Sequence, residues 1–329
     1  MSAMSRIAVI GTGTWGCALA SMLHQAGDDV VLWGRRAPFI EELLHTRLHP
    51  RLSQHPLPKQ LVISSDAAVC ATADIWIWAV PTQHTRAMAQ HLATWLPPAA
   101  QVVSVSKGIE QGSLLRISQI LAEGLPPHHF YCLSGPSHAE EVLAGQVAGL
   151  VLAGHGESSD LQYRLNQTPL RVYRGDDVTG VELAGALKNV IAIAAGCVDA
   201  LALGDNVKAT LVTRGLAEMR RLGRALGADD HTFAGLAGIG DLLTTCYSKH
   251  GRNRALGTAI ASGKDLTEFC SQTGTVPEGA WTAQAAVALA TAHAVELPIA
   301  QEVVAVLEGT CPVSTAMRRL LQRHAGDES

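Results

Sequence analysis

The sequence predicts a doubly wound, mostly parallel sheet in its first half and an all-helical domain in its second half. Short apolar runs such as RIAVIG, DVVLWG and DIWIWAVP alternate with segments of helical spacing in the first half. Continuous apolar strands separated by helices are typical of a parallel sheet covered on both faces. From about residue 178 these runs give way to Ala/Leu-rich segments with helical spacing, as at 182–202 and 208–226. We therefore predict two domains, 1–177 and 178–329.

Composition indicates a folded protein with little net charge. Of the 329 residues, 47% belong to the AVILMFWYC set and 16% are charged. The formal charge of -4 offers no basic surface for nucleic acid or an anionic membrane. The seven cysteines form no C-x-x-C pair, and charge-free segments are interrupted before they could span a bilayer. These features predict a cytoplasmic protein without an integral membrane segment or a metal site.

The segment RIAVIGTGTWGCALA carries a glycine pattern that predicts dinucleotide binding. Gly11, Gly13 and Gly16 have G-x-G-x-x-G spacing directly after an apolar strand and before an Ala-rich helix. Gly11 allows the tight turn, Gly13 lets a pyrophosphate approach, and Gly16 lets helix and strand pack closely. The N–H groups at the helix N-terminus then face the phosphates, so the pattern predicts a Rossmann domain.

The second strand ends in Gly34, Arg35 and Arg36, where this pattern usually has a carboxylate for the ribose hydroxyls. Guanidinium groups suit a 2′-phosphate, which would make NADPH a cofactor. Two solvated arginines would give the same sequence, so the choice between NADPH and NADH stays open.

Two later strands are predicted to end in polar residues at the ligand edge of the sheet. VSVSKG ends in Lys107, which is placed to meet a phosphate or a carbonyl oxygen, although it could also be a solvated loop residue. YCLSGPSHAEEV ends in Gly135 and Ser137. Ser137 and Glu140 form S-x-x-E, so Ser137 caps the next helix, contacts a ligand, or does both.

The apolar segment ELAGALKNVIAIAAG, residues 182–196, contains a single cation, Lys188. Loss of hydration lowers the pKa of a buried ammonium, which suits it to proton transfer near pH 7. The alternative is that Lys188 extends along the helix face to solvent. Farther along, Asp241 either caps a helix or joins the site, and KHGRNR combines guanidinium donors with a glycine in a pattern suited to a phosphate.

Seven motifs occur in order along the chain: GTGTWGCALA, VSKGIE, LSGPSHAEEV, ELAGALKNVIAIAAG, NVKATLVTRGLAEMRRLG, GLAGIGDLLTTCYSKHGRNR and VPEG. Together they resemble the bacterial NAD(P)-dependent glycerol-3-phosphate dehydrogenase family over nearly the whole length. The resemblance implies an oxidoreductase that interconverts dihydroxyacetone phosphate and sn-glycerol 3-phosphate with NADPH or NADH. It also implies a supply of glycerol 3-phosphate for glycerophospholipid synthesis.

The resemblance further implies a role for each matching residue. Lys188 would be the proton donor and acceptor, with Lys107 and Asp241 in the catalytic set. The implied substrate contacts are Lys107, Gly135, Ser137, Lys188, Asp241, Gly251, Arg252 and Asn253. The implied cofactor contacts are Gly11, Gly13, Thr14, Trp15, Gly16, Arg35, Arg36, Lys107, Ala139, Arg252, Val276 and Glu278.

Two positions depart from the family pattern, and two other functions fit the same architecture. Gly251 stands where many relatives have serine, and His138 stands where many have an aromatic residue. A 6-phosphogluconate or 3-hydroxyacid type of dehydrogenase is one alternative, which KHGRNR and GALKNV disfavour. A cofactor-sensing protein without turnover is the other, which the intact Lys107, Lys188 and Asp241 disfavour. The low charge density of the helical domain predicts a homodimer.

Overall fold

The computed structural model describes residues 6–126, 128–249 and 251–323. They form two compact units, one within Met1–Lys107 and Leu115–Glu182, the other within Gly108–Leu114 and Leu183–Ser329. The sequence placed a single boundary after Asp177, where strand patterns end. The first unit also includes residues 178–182, and the second unit includes Gly108–Leu114. Hydrophobic periodicity predicts helices and strands, but it cannot show to which unit such a short segment belongs.

A sheet of eight strands forms the centre of the first unit. Its spatial order is β3-β2-β1-β4-β5-β6-β7-β8; β1 to β6 are parallel, and β7 and β8 run antiparallel to them. This confirms the predicted doubly wound, mostly parallel sheet. The strands are β1 (Arg6–Ile10), β2 (Asp29–Trp33), β3 (Val62–Ser64), β4 (Ile75–Trp78), β5 (Gln101–Ser104), β6 (His129–Ser134), β7 (Ala148–Gly154) and β8 (Leu170–Gly175).

Both faces of the central strands are buried, which explains why the interior positions of β1 are apolar on both sides. On β1, Ile7 and Val9 pack into one hydrophobic cluster, whereas Ala8 and Ile10 pack into the cluster on the opposite face. Successive side chains of a strand point to opposite faces, so both sets must be apolar. The helices of this unit are α1 (Thr14–Gln25), α2 (Ala37–Thr46), α3 (Thr82–Leu92), α4 (Ile117–Gly124), α5 (Ala139–Leu143) and α6 (Ser159–Leu165).

The helix α7 (Val178–Ala200) carries the chain out of the first unit. The Asp177 carboxylate accepts a hydrogen bond from Gly180 N at 2.8 Å and so caps this helix. Residues 180–198 are all buried. Among the described residues, α7 is the one helix long and apolar enough to cross a membrane, and its whole apolar window is buried in the protein, as in a core helix.

The second unit is helical apart from its loops, as predicted. After α7 come α8 (Asp205–Ala225), α9 (Asp230–Ala234), α10 (Asp241–Tyr247), α11 (Arg252–Ala261), α12 (Leu266–Thr273), α13 (Glu278–Ala292), α14 (Pro298–Leu307) and α15 (Val313–Leu321). A π-helical segment, Leu236–Gly240, immediately precedes α10.

A buried carboxylate joins α8 to the start of α14. Glu218 is 4% exposed, and its two oxygens accept hydrogen bonds from Ile299 N at 2.7 Å and Ala300 N at 3.3 Å. These N–H groups have no partner within their own helix, so the carboxylate caps α14 from outside. Burial raises the pKa of Glu218 to about 7, although the two N–H donors oppose that rise.

Glu218 makes the stability of the protein depend on pH. Because its pKa is raised in the folded state, the folded state binds the proton more tightly than the unfolded chain, and this stabilisation is lost as the carboxyl ionises. We expect the free energy of unfolding to fall between about pH 5 and about pH 8, and to fall less in Glu218→Gln. Urea unfolding at several pH values measures this. The exposed Glu41→Gln should behave as the unmodified protein, and equal slopes for Glu218→Gln would contradict the assignment.

Candidate active site

The loop between β1 and α1 is shaped to admit an anionic group. Gly11 has φ +118°, and a Cβ there would lie 2.5 Å from Ala79 O. A Cβ on Gly16 would lie 2.1 Å from Gly11 O. In contrast, a Cβ on Gly13 would meet no atom of the described residues within 4 Å, and no described side chain caps the N-terminus of α1. The open space beside uncapped N–H groups fits the pyrophosphate of a dinucleotide.

Other predicted cofactor residues of the first unit surround this loop or follow the next strand. Thr14 and Trp15 are half-buried in the first turn of α1. Arg35 and Arg36 are exposed after β2, and Arg36 Cζ lies 5.0 Å from the centre of the Phe39 ring. The ring attracts this guanidinium, which stays exposed to solvent and so accessible to a phosphate.

Lys107 and the turn after β6 come together in the first unit. Lys107 Nζ donates to Gly135 O at 3.1 Å, and the Ser137 hydroxyl donates to the same carbonyl at 3.1 Å. The capping alternative for Ser137 is wrong, because α5 begins at Ala139 and His138 holds the cap position. The hydroxyl is drawn instead to a carbonyl of its own tight turn, where Gly135 has φ +147°.

Lys188 lies in a buried charged cluster in the second unit. It is 6% exposed, and Nζ donates to Asp241 Oδ1 at 2.5 Å and to Thr245 Oγ1 at 2.7 Å. Thr245 in turn donates to Asp241 O at 2.7 Å. The lysine therefore does not extend to solvent. The Asp241 carboxylate and the Thr245 hydroxyl thus both lie against the Lys188 amino group.

Asp241 pairs with Lys188 rather than capping α10. It is 2% exposed and is the first residue of α10, whose cap position is held by Gly240. Sequence reasoning missed Thr245, although the signal was present. In DLLTT, residues 241 and 245 are four apart, and that spacing puts both side chains on the same face of a helix.

The predicted phosphate-binding residues lie where α11 begins. Gly251 precedes the helix, Arg252 is its exposed first residue, and Asn253 is buried. The Asn253 amide donates to Asn189 Oδ1 at 2.8 Å and accepts from Gly279 N at 3.0 Å. These bonds fix the turn onto α7 and α13. The two bonds use the oxygen and one N–H of the Asn253 amide. The contacts with Asn189 and Gly279 therefore also fix the orientation of the second N–H.

The last three predicted cofactor residues also belong to the second unit. They are Arg252, Val276 and Glu278; Glu278 is the first residue of α13, and Val276 lies two residues before it. Ala139 is the buried first residue of α5 in the first unit.

Sequence comparison decides the family. The profile of the NAD-dependent glycerol-3-phosphate dehydrogenase N-terminus matches residues 6–160, and that of the C-terminus matches residues 177–318. The chain belongs to this dehydrogenase family. The family resemblance, the oxidoreductase class and the use of NAD(P) predicted from the sequence are thereby confirmed.

Similar proteins in this family match along the whole chain. Glycerol-3-phosphate dehydrogenase [NAD(P)+] 1 of Salinibacter ruber is 45% identical over 99% of this chain and 98% of its own. The enzyme of Desulfitobacterium hafniense is 41% identical over 97% of this chain and 92% of its own. The solved structure of glycerol-3-phosphate dehydrogenase from Coxiella burnetii is 35% identical, with a TM-score of 0.93 over 97% of this chain and 99% of that one.

A more distant structure shares the fold alone. A PanE/ApbA family ketopantoate reductase from Ralstonia eutropha has a TM-score of 0.63 at 18% identity. The two-domain architecture is therefore common to dehydrogenases of different substrates, and the site residues must carry the assignment of substrate.

Gly13 and Gly11 give opposite predictions for the same substitution. Gly13→Ala should leave the melting temperature unchanged, because the added methyl group enters open space. The same methyl group would occupy the proposed pyrophosphate position, so the KM for NADPH and NADH should rise by about tenfold or more. Gly11→Ala should lower the melting temperature, because of its positive φ and the contact with Ala79 O. Thermal unfolding measures the first effect, and steady-state assays with each cofactor measure the second. A destabilised Gly13→Ala, or one with unchanged cofactor affinity, would contradict the proposed cradle.

Proposed function

We propose that this protein interconverts dihydroxyacetone phosphate and sn-glycerol 3-phosphate with NADPH or NADH. The buried cluster of Lys188, Asp241 and Thr245 carries the proposal, because reduction of a ketone needs a proton donor where negative charge develops on oxygen. The relatives that match the whole chain are named glycerol-3-phosphate dehydrogenases [NAD(P)+], which supports the same substrate pair.

Lys188 is the proposed proton donor in reduction and proton acceptor in oxidation. When bound, a nicotinamide cofactor would supply the hydride that the carbonyl carbon accepts. The Lys188 ammonium transfers a proton to the ketone oxygen as that oxygen gains charge, and the neutral amine takes a proton from the alcohol in the reverse direction. Asp241 stabilises the ammonium in both directions, and Thr245 orients Nζ through their 2.7 Å hydrogen bond.

The proposal assigns the remaining polar residues to substrate binding. Gly251, Arg252 and Asn253 would hold the phosphate with backbone N–H groups, a guanidinium and an amide. Lys107, with Gly135 and Ser137 beside it, would contact the substrate and the cofactor. Because Gly251 lacks a side chain, only its backbone can contribute.

Arg35 and Arg36 are proposed to bind the 2′-phosphate of NADPH. Both are exposed at the end of β2, and the ring of Phe39 supports one of them. Replacing both with Ala should raise the KM for NADPH by about tenfold or more and change the KM for NADH by less than about twofold. Steady-state assays with the two cofactors measure this. Equal effects on both cofactors would mean that these arginines do not read the 2′-phosphate.

We further propose that the protein is a cytoplasmic homodimer that supplies glycerol 3-phosphate for glycerophospholipid synthesis. The buried position of the apolar helix α7 and the low net charge support the cytoplasmic location. A sedimentation mass of one chain at micromolar concentration would contradict the dimer.

The lysine assignment is tested by Lys188→Met. With dihydroxyacetone phosphate and NADPH or NADH, we expect the variant to lower kcat by about 10²- to 10⁴-fold, because the general acid is lost while the apolar part of the side chain is kept. Cofactor affinity, measured by fluorescence titration, should be unchanged.

The exposed Lys264→Met is the matched control and should keep full activity. A Lys188→Met variant with nearly normal kcat would contradict the role of Lys188. If the unmodified protein oxidises neither cofactor with this substrate, the substrate assignment itself is wrong.

A further inference from the structure

Three charged side chains form a cluster that the proposed chemistry does not use. Asp199 near the end of α7, Lys208 on α8 and Arg254 on α11 meet beside the segment that joins α10 to α11. Lys208 Nζ lies 2.8 and 2.9 Å from the two oxygens of Asp199. Arg254 Nε donates to Asp199 Oδ2 at 2.6 Å.

Lys208 is buried, whereas the side chains of Asp199 and Arg254 are 25% and 26% exposed. The buried ammonium carries a desolvation cost, which pairing with Asp199 offsets. Lys208 is 5% exposed, and its Nζ also lies 4.4 Å from the centre of the Tyr247 ring. Burial alone would raise the pKa of the Asp199 carboxyl, but hydrogen bonds and charge from Lys208 and Arg254 hold it below its ordinary value. One carboxylate therefore balances two cations.

Arg254 connects this carboxylate to both ends of the turn before α11. Its Nη1 donates to the carbonyl oxygen of Ser248 at 3.2 Å, and Ser248 is the C-cap residue directly after α10. Its own backbone lies in the first turn of α11. A side chain that spans the two ends of a turn restricts the shape of the residues between them, which here include Gly251 and Arg252.

Close packing of α11 on α7 leaves the charged cluster little freedom. A Cβ on Gly196 would lie 2.0 Å from Arg254 O, and a Cβ on Gly257 would lie 1.9 Å from Ile193 O. The two helix backbones are thus in direct contact, and Asp199 follows Gly196 by one helical turn on α7. The position of Arg254 is therefore fixed by its backbone at Gly196 and by its guanidinium at Asp199.

We propose that Asp199 is a positioning residue for the substrate phosphate, because it holds Arg254 and Lys208 in place and so fixes the start of α11, where Gly251, Arg252 and Asn253 lie. This rests on the proposed function, in which those residues bind the phosphate. Lys208 contributes by orienting the Asp199 carboxylate toward Arg254. None of the three side chains takes part in proton transfer.

The test compares Asp199→Asn with the unmodified protein in steady-state reduction of dihydroxyacetone phosphate. The asparagine keeps the size of the side chain and removes its charge. Loss of a charge-assisted hydrogen bond predicts a KM for dihydroxyacetone phosphate that rises by about 10- to 100-fold, with kcat changed by less than about threefold. The inhibition constant of inorganic phosphate, competing with this substrate, should rise by a similar factor, and the KM of the cofactor should not change.

Asp230→Asn is the matched control. Asp230 also balances two cations of α8, since it accepts from Arg220 Nε at 2.9 Å and lies 3.7 Å from Arg224 Nε. Losing that pair should leave the KM for dihydroxyacetone phosphate unchanged. Asp199→Glu, which keeps the charge, should restore part of the affinity that Asp199→Asn loses.

Arg254→Met gives an independent reading if Asp199→Asn folds poorly. Arg254→Met removes the hydrogen bond to Ser248 O and should raise the KM for dihydroxyacetone phosphate. The double variant Asp199→Asn/Arg254→Met should have a KM no higher than that of the more impaired single variant, because both residues act through one connection. A fall in kcat without a change in KM, an unchanged phosphate inhibition constant, or additive effects in the double variant would overturn the proposal. Inactivity of the unmodified protein with this substrate would instead reject the proposed function.

Discussion

The ion pair between Lys188 and Asp241 is the interaction around which the second unit is arranged. A single ammonium in a buried apolar helix is costly unless an anion and further acceptors surround it. Asp241 at 2.5 Å and Thr245 at 2.7 Å meet that requirement from one face of α10. The π-helical segment Leu236–Gly240 leads directly into that helix. The backbone before α10 therefore departs from regular helix at the point where it must present a carboxylate to α7.

Helix α7 positions the surrounding segments through its few charged and amide side chains. All of α7 from residue 180 to 198 is buried, so each such group needs a specific partner. Glu182 contacts Arg116 and Ser118, Lys188 contacts α10, and Asn189 contacts Asn253 on α11. Just beyond this stretch, Asp199 contacts Lys208 on α8 and Arg254 on α11. Apolar packing gives the helix its stability, and these polar contacts determine which segments it holds and in what position. The turn before α11 is attached twice, through Asn253 and through Arg254.

The glycine pattern near the N-terminus shows how far local sequence can predict a site. Gly11 and Gly16 are required by backbone contacts of 2.5 and 2.1 Å, whereas Gly13 leaves open space. Spacing after a strand and before a helix was enough to predict this division of roles. In contrast, S-x-x-E at Ser137 matched a capping pattern, yet the hydroxyl bonds to Gly135 O. The local pattern predicts that the hydroxyl bonds to a backbone N–H of the next helix. It cannot exclude a bond to another backbone group, such as Gly135 O, that the turn brings close to the hydroxyl.

The sequence by itself determined the parallel sheet, the helical second half, the dinucleotide loop and the presence of an unusual lysine at 188. Those features follow from periodicity and from residue types next to each other in the chain, which act through the local backbone. Only the tertiary structure decided that Asp241 and Thr245 are the partners of Lys188, that Asn189 supports Asn253, and which helices Asp199 joins. Lys188 and Asp241 are separated by 53 positions in the sequence, and Asp199 and Arg254 by 55. Partners that far apart leave no periodic signal, and long-range packing alone selects them.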